Sequence, residues 1–213
     1  MIDALLLADL HGEFGKIDSF LELNPEIVFI AGDITNMGPV DSVDTLLSRI
    51  DVPCFAVPGN CDPREILDTL EQSDCVSLHG SQMNLGKISL VGVGGSNPTP
   101  FQTPFELTDK QIDDLLHGAL AKMEKTTHNV LLSHVPPQGV LDEVNGEHVG
   151  SASVRRHLKT FDLVCCAHIH EQRGVTELDG VKIVNPGPAA MGNCAMIHFG
   201  NEAKEITVEL LTV

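Results

Sequence analysis

Tryptophan and tyrosine are both absent from this sequence, and phenylalanine supplies all 8 aromatic side chains among 213 residues. The usual anchors of energetic centres in protein interfaces are therefore missing. Basic residues are also scarce, because 13 lysines and arginines stand against 30 aspartates and glutamates, for a net charge of −17. A surface of that sign repels phosphodiester backbones and anionic lipids, so we expect neither general nucleic-acid binding nor membrane binding. The same acidity also suits a protein of a saline cytoplasm.

Long apolar runs and paired cysteines are missing as well. No window approaches the roughly 18 to 20 apolar residues of a membrane span. The N-terminal run Ala4–Ala8 stops at Asp9 and lacks a basic flank, so it does not read as a signal peptide. The six cysteines show no C-x-x-C spacing, which favours reduced, mostly buried thiols. We predict a cytoplasmic protein.

The length and the pattern of the chain predict one α/β domain spanning residues 1–213. Short apolar runs alternate with amphipathic stretches, as in an α/β sheet. The predicted strands are 4–8, 27–31, 53–57, 129–133 and 162–167, and the predicted helices are 14–23, 40–49, 65–72, 108–125 and 151–159. Thr108 and Gln111 have the spacing of a capping box at the start of the fourth helix. Residues 75–93 and 174–212 read instead as short strands with turns between them, which favours appended mixed or antiparallel strands.

A proline-rich segment at residues 94–105 is the clearest loop, since its three prolines and two glycines exclude a helix or a central strand. Phe101 and Phe105 lie in this loop. Two interpretations of them stay open: they face a cleft and contact a substrate, or they fix the loop to the core.

Ligand-type side chains follow every one of the five predicted strands. They are Asp9 and His11 after the first strand, Asp33 after the second, Asn60 after the third, His134 after the fourth, and His168 and His170 after the fifth. Because the carboxyl ends of parallel strands share one edge, we expect these seven side chains to converge. Any one of these motifs is a weak signal, but all five strand ends together predict a metal site.

Carboxylate, imidazole and amide ligands together suit borderline divalent ions, among which we favour Mn over Fe, Zn, Co or Ni. Seven ligands are too many for one ion with open positions, and they fit two ions about 3.5–4 Å apart with a bridging carboxylate. Without a cation the carboxylates would repel each other.

The ordered motifs D-x-H, G-D, G-N-C-D, S-H and H-x-H, followed by residues 185–189 (NPGPA), resemble the calcineurin-like metallophosphoesterase superfamily. The resemblance runs from Asp9 to Ala189 and is closest to the small prokaryotic branch described as Icc-related or YfcE-like phosphoesterases. It implies a four-layer αββα sandwich of two mixed sheets, with the metal site at the carboxyl ends of the strands. It also implies a dinuclear phosphoesterase in which a metal-bridging hydroxide attacks a small phosphoester in line.

The resemblance further implies a role for each ligand. The first metal takes Asp9, His11 and His170, the second takes Asn60, His134 and His168, and Asp33 bridges the two. Asn60 and His134 are the expected catalytic residues, with an Asn60 N–H donating to a phosphoryl oxygen as charge develops there. Arg64 and Arg173 are either phosphate contacts or solvated surface residues.

One departure from the family pattern concerns the leaving-group proton. Many members have G-N-H-D or G-N-H-E, whose histidine is placed to protonate the leaving group, but here the position is Cys61. We consider Cys61 either a proton donor or an inert thiol, and His148 a possible substitute donor. A second departure is Ala167, where the family usually has glycine.

Three hypotheses compete on these observations. The first is a metal-dependent phosphoesterase, with phosphodiesters favoured over monoesters. The second is a catalytically weak or inactive metal-binding scaffold of the same fold, which would predict eroded ligands or an apolar surface patch. The third is a DNA-repair nuclease, which the acidity and small size disfavour. We adopt the first, because all seven ligands are present.

Overall fold

The computed structural model describes all residues 1–213. Its strands are β1 (Ile2–Leu7), β2 (Ile27–Ile30), β3 (Cys54–Ala56), β4 (Cys75–Ser77), β5 (Ser81–Leu85), β6 (Ile88–Val93), β7 (His128–Ser133), β8 (Glu143–Val144), β9 (Glu147–His148), β10 (Leu163–Cys165), β11 (Gly174–Leu178), β12 (Val181–Asn185), β13 (Asn193–Phe199) and β14 (Ile206–Thr212). Its α-helices are α1 (Ile17–Leu21), α2 (Val43–Leu47), α3 (Ile66–Glu71), α4 (Asp109–Leu120) and α5 (Ala152–His157). Short 3₁₀ helices span Leu158–Thr160, His170–Gln172 and Ala189–Met191.

The strands form two six-stranded mixed sheets and one small hairpin, β8–β9. The first sheet has the order β14-β13-β1-β2-β3-β4, and the second has the order β11-β12-β10-β7-β6-β5. Strands β1 to β4 are parallel in the first sheet, as are β6, β7, β10 and β12 in the second. The antiparallel strands β5, β11, β13 and β14 all come from the two regions where the sequence breaks its alternating pattern.

Three buried apolar layers hold the sheets and helices together. Successive side chains of a strand face opposite ways, so Leu6 lies between the two sheets while Leu5 and Leu7 face α1 to α3. Val91 and Leu131 lie in the third layer, between the second sheet and α4 and α5. The order of layers is therefore helix, sheet, sheet, helix, which confirms the expected αββα sandwich. No helix combines the length and the apolar character needed to cross a membrane.

All ten predicted strands and helices are present, but most are shorter than predicted. The helix predicted at 108–125 ends at Leu120, for example. The period of the hydrophobic residues predicts where a helix lies more accurately than where it begins and ends, because the ends depend on local capping. The hairpin β8–β9 was not predicted, since two-residue strands carry no alternation. Its turn residues Asn145 and Gly146 both have positive φ, 52° and 84°, as a tight hairpin turn requires.

The capping box predicted at the start of helix α4 is present in the structure. The Thr108 side chain accepts a hydrogen bond from the Gln111 N–H, and the Gln111 side chain accepts one from the Thr108 N–H. We predict that Thr108→Ala lowers the free energy of unfolding by about 1 kcal/mol, measured by urea denaturation. Thr45→Ala, at an exposed position inside α2, is the control and should cost nothing. Equal stability of both variants would contradict the capping role.

Candidate metal centre

Seven side chains predicted as metal ligands come together at the edge where the carboxyl ends of the parallel strands of both sheets meet. Asp9, His11, Asp33 and Asn60 follow strands of the first sheet, and His134, His168 and His170 follow strands of the second. Each follows a parallel strand, and the carboxyl ends of parallel strands form the usual ligand-binding edge of such sheets. The cluster therefore exists only because the two sheets pack face to face.

One half of the cluster contains Asp9, His11 and His170, whose potential ligand atoms all lie within 4.8 Å of one another. The Nε2 atoms of His11 and His170 are 3.3 Å apart, and His170 Nε2 is 3.5 Å from Asp9 Oδ1. His11 Nε2 is also 3.8 Å from Asp33 Oδ2.

The other half contains Asn60, His134 and His168. His134 Nε2 lies 2.9 Å from Asn60 Oδ1 and 3.6 Å from Asp33 Oδ1, and the ring centroids of His134 and His168 are 5.1 Å apart. Asp33 thus directs one carboxylate oxygen toward each half. It is the residue through which the two halves connect.

Four of the seven side chains sit on left-handed backbone. The φ angles are 52° at Asp9, 48° at His11, 51° at Asp33 and 73° at His168. Aspartate and histidine tolerate this region better than most residues, but the conformation still costs free energy and is characteristic of functional sites. Backbone hydrogen bonds maintain it, such as the one from the Asp9 N–H to the Gly32 carbonyl at 3.0 Å.

The glycines of the G-D and G-N motifs allow a close approach of backbone to side chains. A Cβ at Gly59 would collide with the Asp33 carboxylate. A Cβ at Gly32 would lie 2.6 Å from His134 Nδ1, and its φ of 91° also favours glycine. Because both positions are glycine, the Asp33 carboxylate and the His134 ring can approach the same part of the cluster.

Asp62 joins the loops after β2 and β3, a role that sequence reasoning missed. Its buried carboxylate accepts hydrogen bonds from the N–H groups of Thr35 at 2.7 Å, Gly59 at 2.8 Å and Ile34 at 3.1 Å. Burial, together with the charge of Asp33, raises the pKa of Asp62 to about 6. The sequence signal that could have indicated this role is the position of Asp62 directly after Gly59-Asn60-Cys61.

Two polar groups in the cluster have the character expected of cation ligands. Both carboxylate oxygens of Asp9 are fully buried and accept no hydrogen bond. Burial alone would raise the pKa of Asp9, but His170, His134 and His11 together hold it below its ordinary value. The carboxylate therefore stays charged while fully buried, a state that a bound cation would stabilise.

His134 shows the second such feature. Its Nδ1 lies 2.8 Å from the Ala31 carbonyl and donates to it, so Nε2 is the ring nitrogen that faces the cluster. In the neutral ring Nε2 carries a lone pair, and Asn60 Oδ1 and the Asp33 carboxylate face it, so three acceptors would then converge with no donor between them. A divalent cation suits this set of donor atoms.

The Asn60 amide is oriented by an unpredicted pair of residues, Thr103 and Glu106. Asn60 Nδ2 donates to Thr103 Oγ1 at 3.1 Å, and the Thr103 hydroxyl donates to Glu106 Oε1 at 2.9 Å. Nδ2 also lies 3.5 Å from the Cys61 sulfur. Both N–H directions of Asn60 are thereby engaged, so the amide turns its oxygen, rather than an N–H, toward the cluster.

A cavity of about 470 Å³ opens beside Asn60, His168 and His170. The proline-rich loop forms one wall through residues 97–101, and the β8–β9 hairpin segment forms another through Val144, Asn145 and Val149. Phe101, 79% exposed, borders this cavity, in agreement with the interpretation that it faces a cleft.

Three other predicted substrate contacts lie elsewhere. Phe105 is fully buried, and the Arg64 guanidinium stacks on its ring 4.5 Å from the centroid. Phe105 therefore fixes the loop to the core, which corrects the expectation of a substrate contact. Arg173 donates to the carbonyls of Pro186 and Leu211, so its charge is used within the fold. Neither arginine borders the cavity.

The two candidate proton donors differ in placement. The Cys61 sulfur lies within 4.8 Å of ligand atoms of His11 and Asp33, and burial together with Asp33 raises the pKa of the thiol to about 12. His148 pairs with buried Asp142, 2.7 Å from its Nδ1, and does not border the cavity. In the hairpin His148 pairs with Glu143, so its side chain is on the face opposite to that of Val144, which does border the cavity. The structure thus directs His148 away from the site.

Asn185 is a further positioning residue that sequence reasoning missed. It is buried, and its Nδ2 donates to the Ile169 carbonyl at 2.8 Å, between the two histidines of the H-x-H motif. Its Oδ1 accepts from the Gly187 N–H at 2.9 Å. The segment that follows β12 therefore fixes the loop that carries His168 and His170.

Known proteins resemble this chain in sequence and in structure. A sequence model of the calcineurin-like phosphoesterase family matches residues 3–172, which include all seven predicted ligands. The uncharacterized protein MJ1162 of Methanocaldococcus jannaschii is 32% identical over 195 residues, covering 85% of this chain and 86% of that protein.

Two solved structures show the same fold at low sequence identity. TT1561 of Thermus thermophilus superimposes with a TM-score of 0.74 at 16% identity, over 98% of each chain. A protein described as a novel archaeal phosphodiesterase superimposes with a TM-score of 0.51 at 14% identity, over 99% of this chain and 100% of that one.

The hydrogen bond from Asn60 to Thr103 yields a prediction. Thr103→Val keeps the shape of the side chain but removes the hydroxyl, so the Asn60 amide loses its fixed orientation. We predict a roughly tenfold loss of Mn²⁺ affinity, measured by calorimetry, as is typical when a residue that orients a metal ligand is removed. Thr103→Ser retains the hydroxyl and should restore the affinity. Equal affinities in all three proteins would contradict this role for Thr103.

Proposed function

Because the chain belongs to the calcineurin-like phosphoesterase family, and is thus a phosphoester hydrolase, we propose that it cleaves small phosphodiesters in preference to monoesters with two divalent ions. The convergence of seven ligand-type side chains around Asp33 carries this proposal. We assign the activity to one domain spanning residues 1–213.

We assign the ligands as the family pattern implies. Asp9, His11 and His170 would hold one ion, Asn60, His134 and His168 the other, and Asp33 both. The distances support this division, since each oxygen of Asp33 lies nearer to one half of the cluster. Mn²⁺ is the ion we favour for this mixture of carboxylate, imidazole and amide ligands. When bound, such ions supply positive charge for the phosphoryl oxygens and an activated water.

The chain itself contributes rigid positioning. The Cys61 N–H donates to Asp33 Oδ1 at 2.7 Å, Thr103 orients Asn60, and the Ala31 carbonyl orients His134. These bonds fix the ligands before substrate arrives, so little reorganisation is needed during reaction. Asn60, which lines the cavity, and His134, whose Nε2 lies 2.9 Å from Asn60 Oδ1, are the residues we place nearest the reacting phosphorus.

The charge of the cavity supports the preference for diesters. None of the residues that line it is lysine or arginine, and its exposed Glu171 is acidic. A monoester carries up to two negative charges near neutral pH, whereas a diester carries one. The less charged substrate therefore suits this cavity better.

Loss of Asp33 tests the dinuclear proposal. We predict that Asp33→Asn abolishes both the binding of a second ion and Mn²⁺-dependent hydrolysis of bis(4-nitrophenyl) phosphate, because the amide offers one oxygen ligand instead of two. Metal content would be measured by elemental analysis and turnover by nitrophenolate release. Asp41→Asn, at an exposed position, is the matched control and should change neither. Full activity in the Asp33 variant would rule out the bridging role.

The cysteine in the G-N-C-D motif yields a second prediction. No imidazole stands where many family members protonate the leaving group, so we expect slow cleavage of esters with poor leaving groups. Cys61→His should raise the rate for an alkyl leaving group more than for 4-nitrophenol, which departs without a proton. Cys61→Ser controls for loss of the thiol. Equal acceleration of both esters, or none, would show that position 61 does not reach the leaving oxygen.

A further inference from the structure

The cavity beside the metal cluster has a distinct apolar part. Its inner end is formed by Asn60, His168 and His170, and its outer part by side chains that belong to no predicted metal site. A phosphoester with its phosphorus at the cluster would place one organic group in that outer part. The chemistry of the walls therefore indicates which organic group is accepted.

Exposed apolar side chains are concentrated at this cavity. The whole protein exposes seven large hydrophobic residues, and three of them line it: Phe101 at 79% exposure, Val149 at 38% and Val144 at 36%. Pro98 and Pro100 extend the same surface. Scattered exposed hydrophobic residues need no explanation, but a group of them on one concave surface indicates a binding site.

The loop that carries Phe101 is held in place without burying the ring. Glu106 Oε1 accepts hydrogen bonds from the N–H and hydroxyl of Thr99, at 3.1 and 2.6 Å, and from the same two groups of Thr103, both at 2.9 Å. The Phe101 N–H donates to Thr99 Oγ1 at 3.1 Å. The backbone is thus ordered around a phenyl ring that remains in solvent, available for contact with a ligand.

The charge around the ring restricts the ligand further. The cavity contains no lysine or arginine, Glu171 lies at its edge, and the protein has a net charge of −17. A second phosphate on the ligand would meet no counter-charge there. Asn97, Thr99 and Asn145 supply the remaining polar groups, and these are uncharged.

We propose, building on the function proposed above, that this cavity binds one planar aromatic ring of the substrate against Phe101. The substrate class is a phosphoester with an aryl or heteroaryl group and no second anionic group. Phe101 is the residue that determines this specificity, with Val144 and Val149 opposite on the hairpin wall.

The test measures binding rather than turnover. The probe is 1-naphthylmethylphosphonate, whose carbon–phosphorus bond resists hydrolysis. Its fluorescence anisotropy can be read directly, since the protein has no tryptophan or tyrosine. Zn²⁺-loaded protein is used, because this closed-shell ion undergoes no redox chemistry. Methylphosphonate and inorganic phosphate serve as competitors without a ring.

We expect the naphthyl probe to bind at least about tenfold more tightly than methylphosphonate. Phe101→Ala should remove roughly tenfold of the probe's affinity, as is typical for loss of an aromatic stacking partner, and leave inorganic phosphate affinity unchanged. Val175→Ala, which truncates an exposed valine on β11 outside the cavity, should change neither. A naphthalene bearing a second phosphonate should bind more weakly than the probe.

Equal affinity for the two phosphonates, or an unchanged preference in Phe101→Ala, would overturn the inference. Displacement of the probe by a nucleoside phosphonate would include nucleobases among the rings accepted, and displacement by phenylphosphonate alone would restrict the class to aryl groups. Hydrolysis of bis(4-nitrophenyl) phosphate with Mn²⁺ is measured in parallel. Ring-selective binding without any hydrolysis would refute the proposed function and leave the ring site standing.

Discussion

Asp9 and Asp33 are buried carboxylates at the edge shared by both sheets, and their ligand atoms lie within 4.8 Å of that of His134. The rest of the site follows from the need of these two carboxylates for positive charge. Asp9 accepts no hydrogen bond at either oxygen. Buried charge of one sign is costly unless it is compensated. The histidines around it compensate part of that cost, and a divalent cation would compensate the remainder. The strained backbone at four of the seven ligands is the price of bringing these groups together.

The strands and the loops of the two sheets determine different parts of the geometry of the site. The parallel strands fix where each ligand leaves the core, while hydrogen bonds from buried polar residues fix where its side chain points. Asp62 ties the Asp33 loop to the Gly59 loop, and Asn185 holds the H-x-H loop. Glu106, through Thr103, links the cavity wall that carries Phe101 to the Asn60 amide. The wall that would contact the organic part of a substrate and a ligand near its phosphorus therefore share one hydrogen-bond network.

Much of this arrangement was predictable from the sequence, because a short apolar run followed by a polar residue is a local signal. The convergence of the ligands followed from their shared position at strand ends, and the layers followed from the family resemblance. Orientation within irregular segments was not predictable. Phe101 and Phe105 lie in one loop with no periodicity, and only the three-dimensional structure shows that one is exposed and the other buried. His148 belongs to a hairpin too short to alternate visibly, so its direction away from the cavity could not be foreseen. Thr103 lies 43 residues from Asn60, and no spacing rule connects them.

The dinuclear phosphoesterase activity is tested most directly by titrating metal-stripped protein with Mn²⁺ while hydrolysis of bis(4-nitrophenyl) phosphate is followed. A dinuclear enzyme predicts no hydrolysis without metal and a rate that rises to saturation near two ions per chain. Saturation at one ion per chain would contradict the dinuclear site. Binding of two ions with no cleavage of this or any other diester would contradict the enzymatic function and favour a metal-binding scaffold instead.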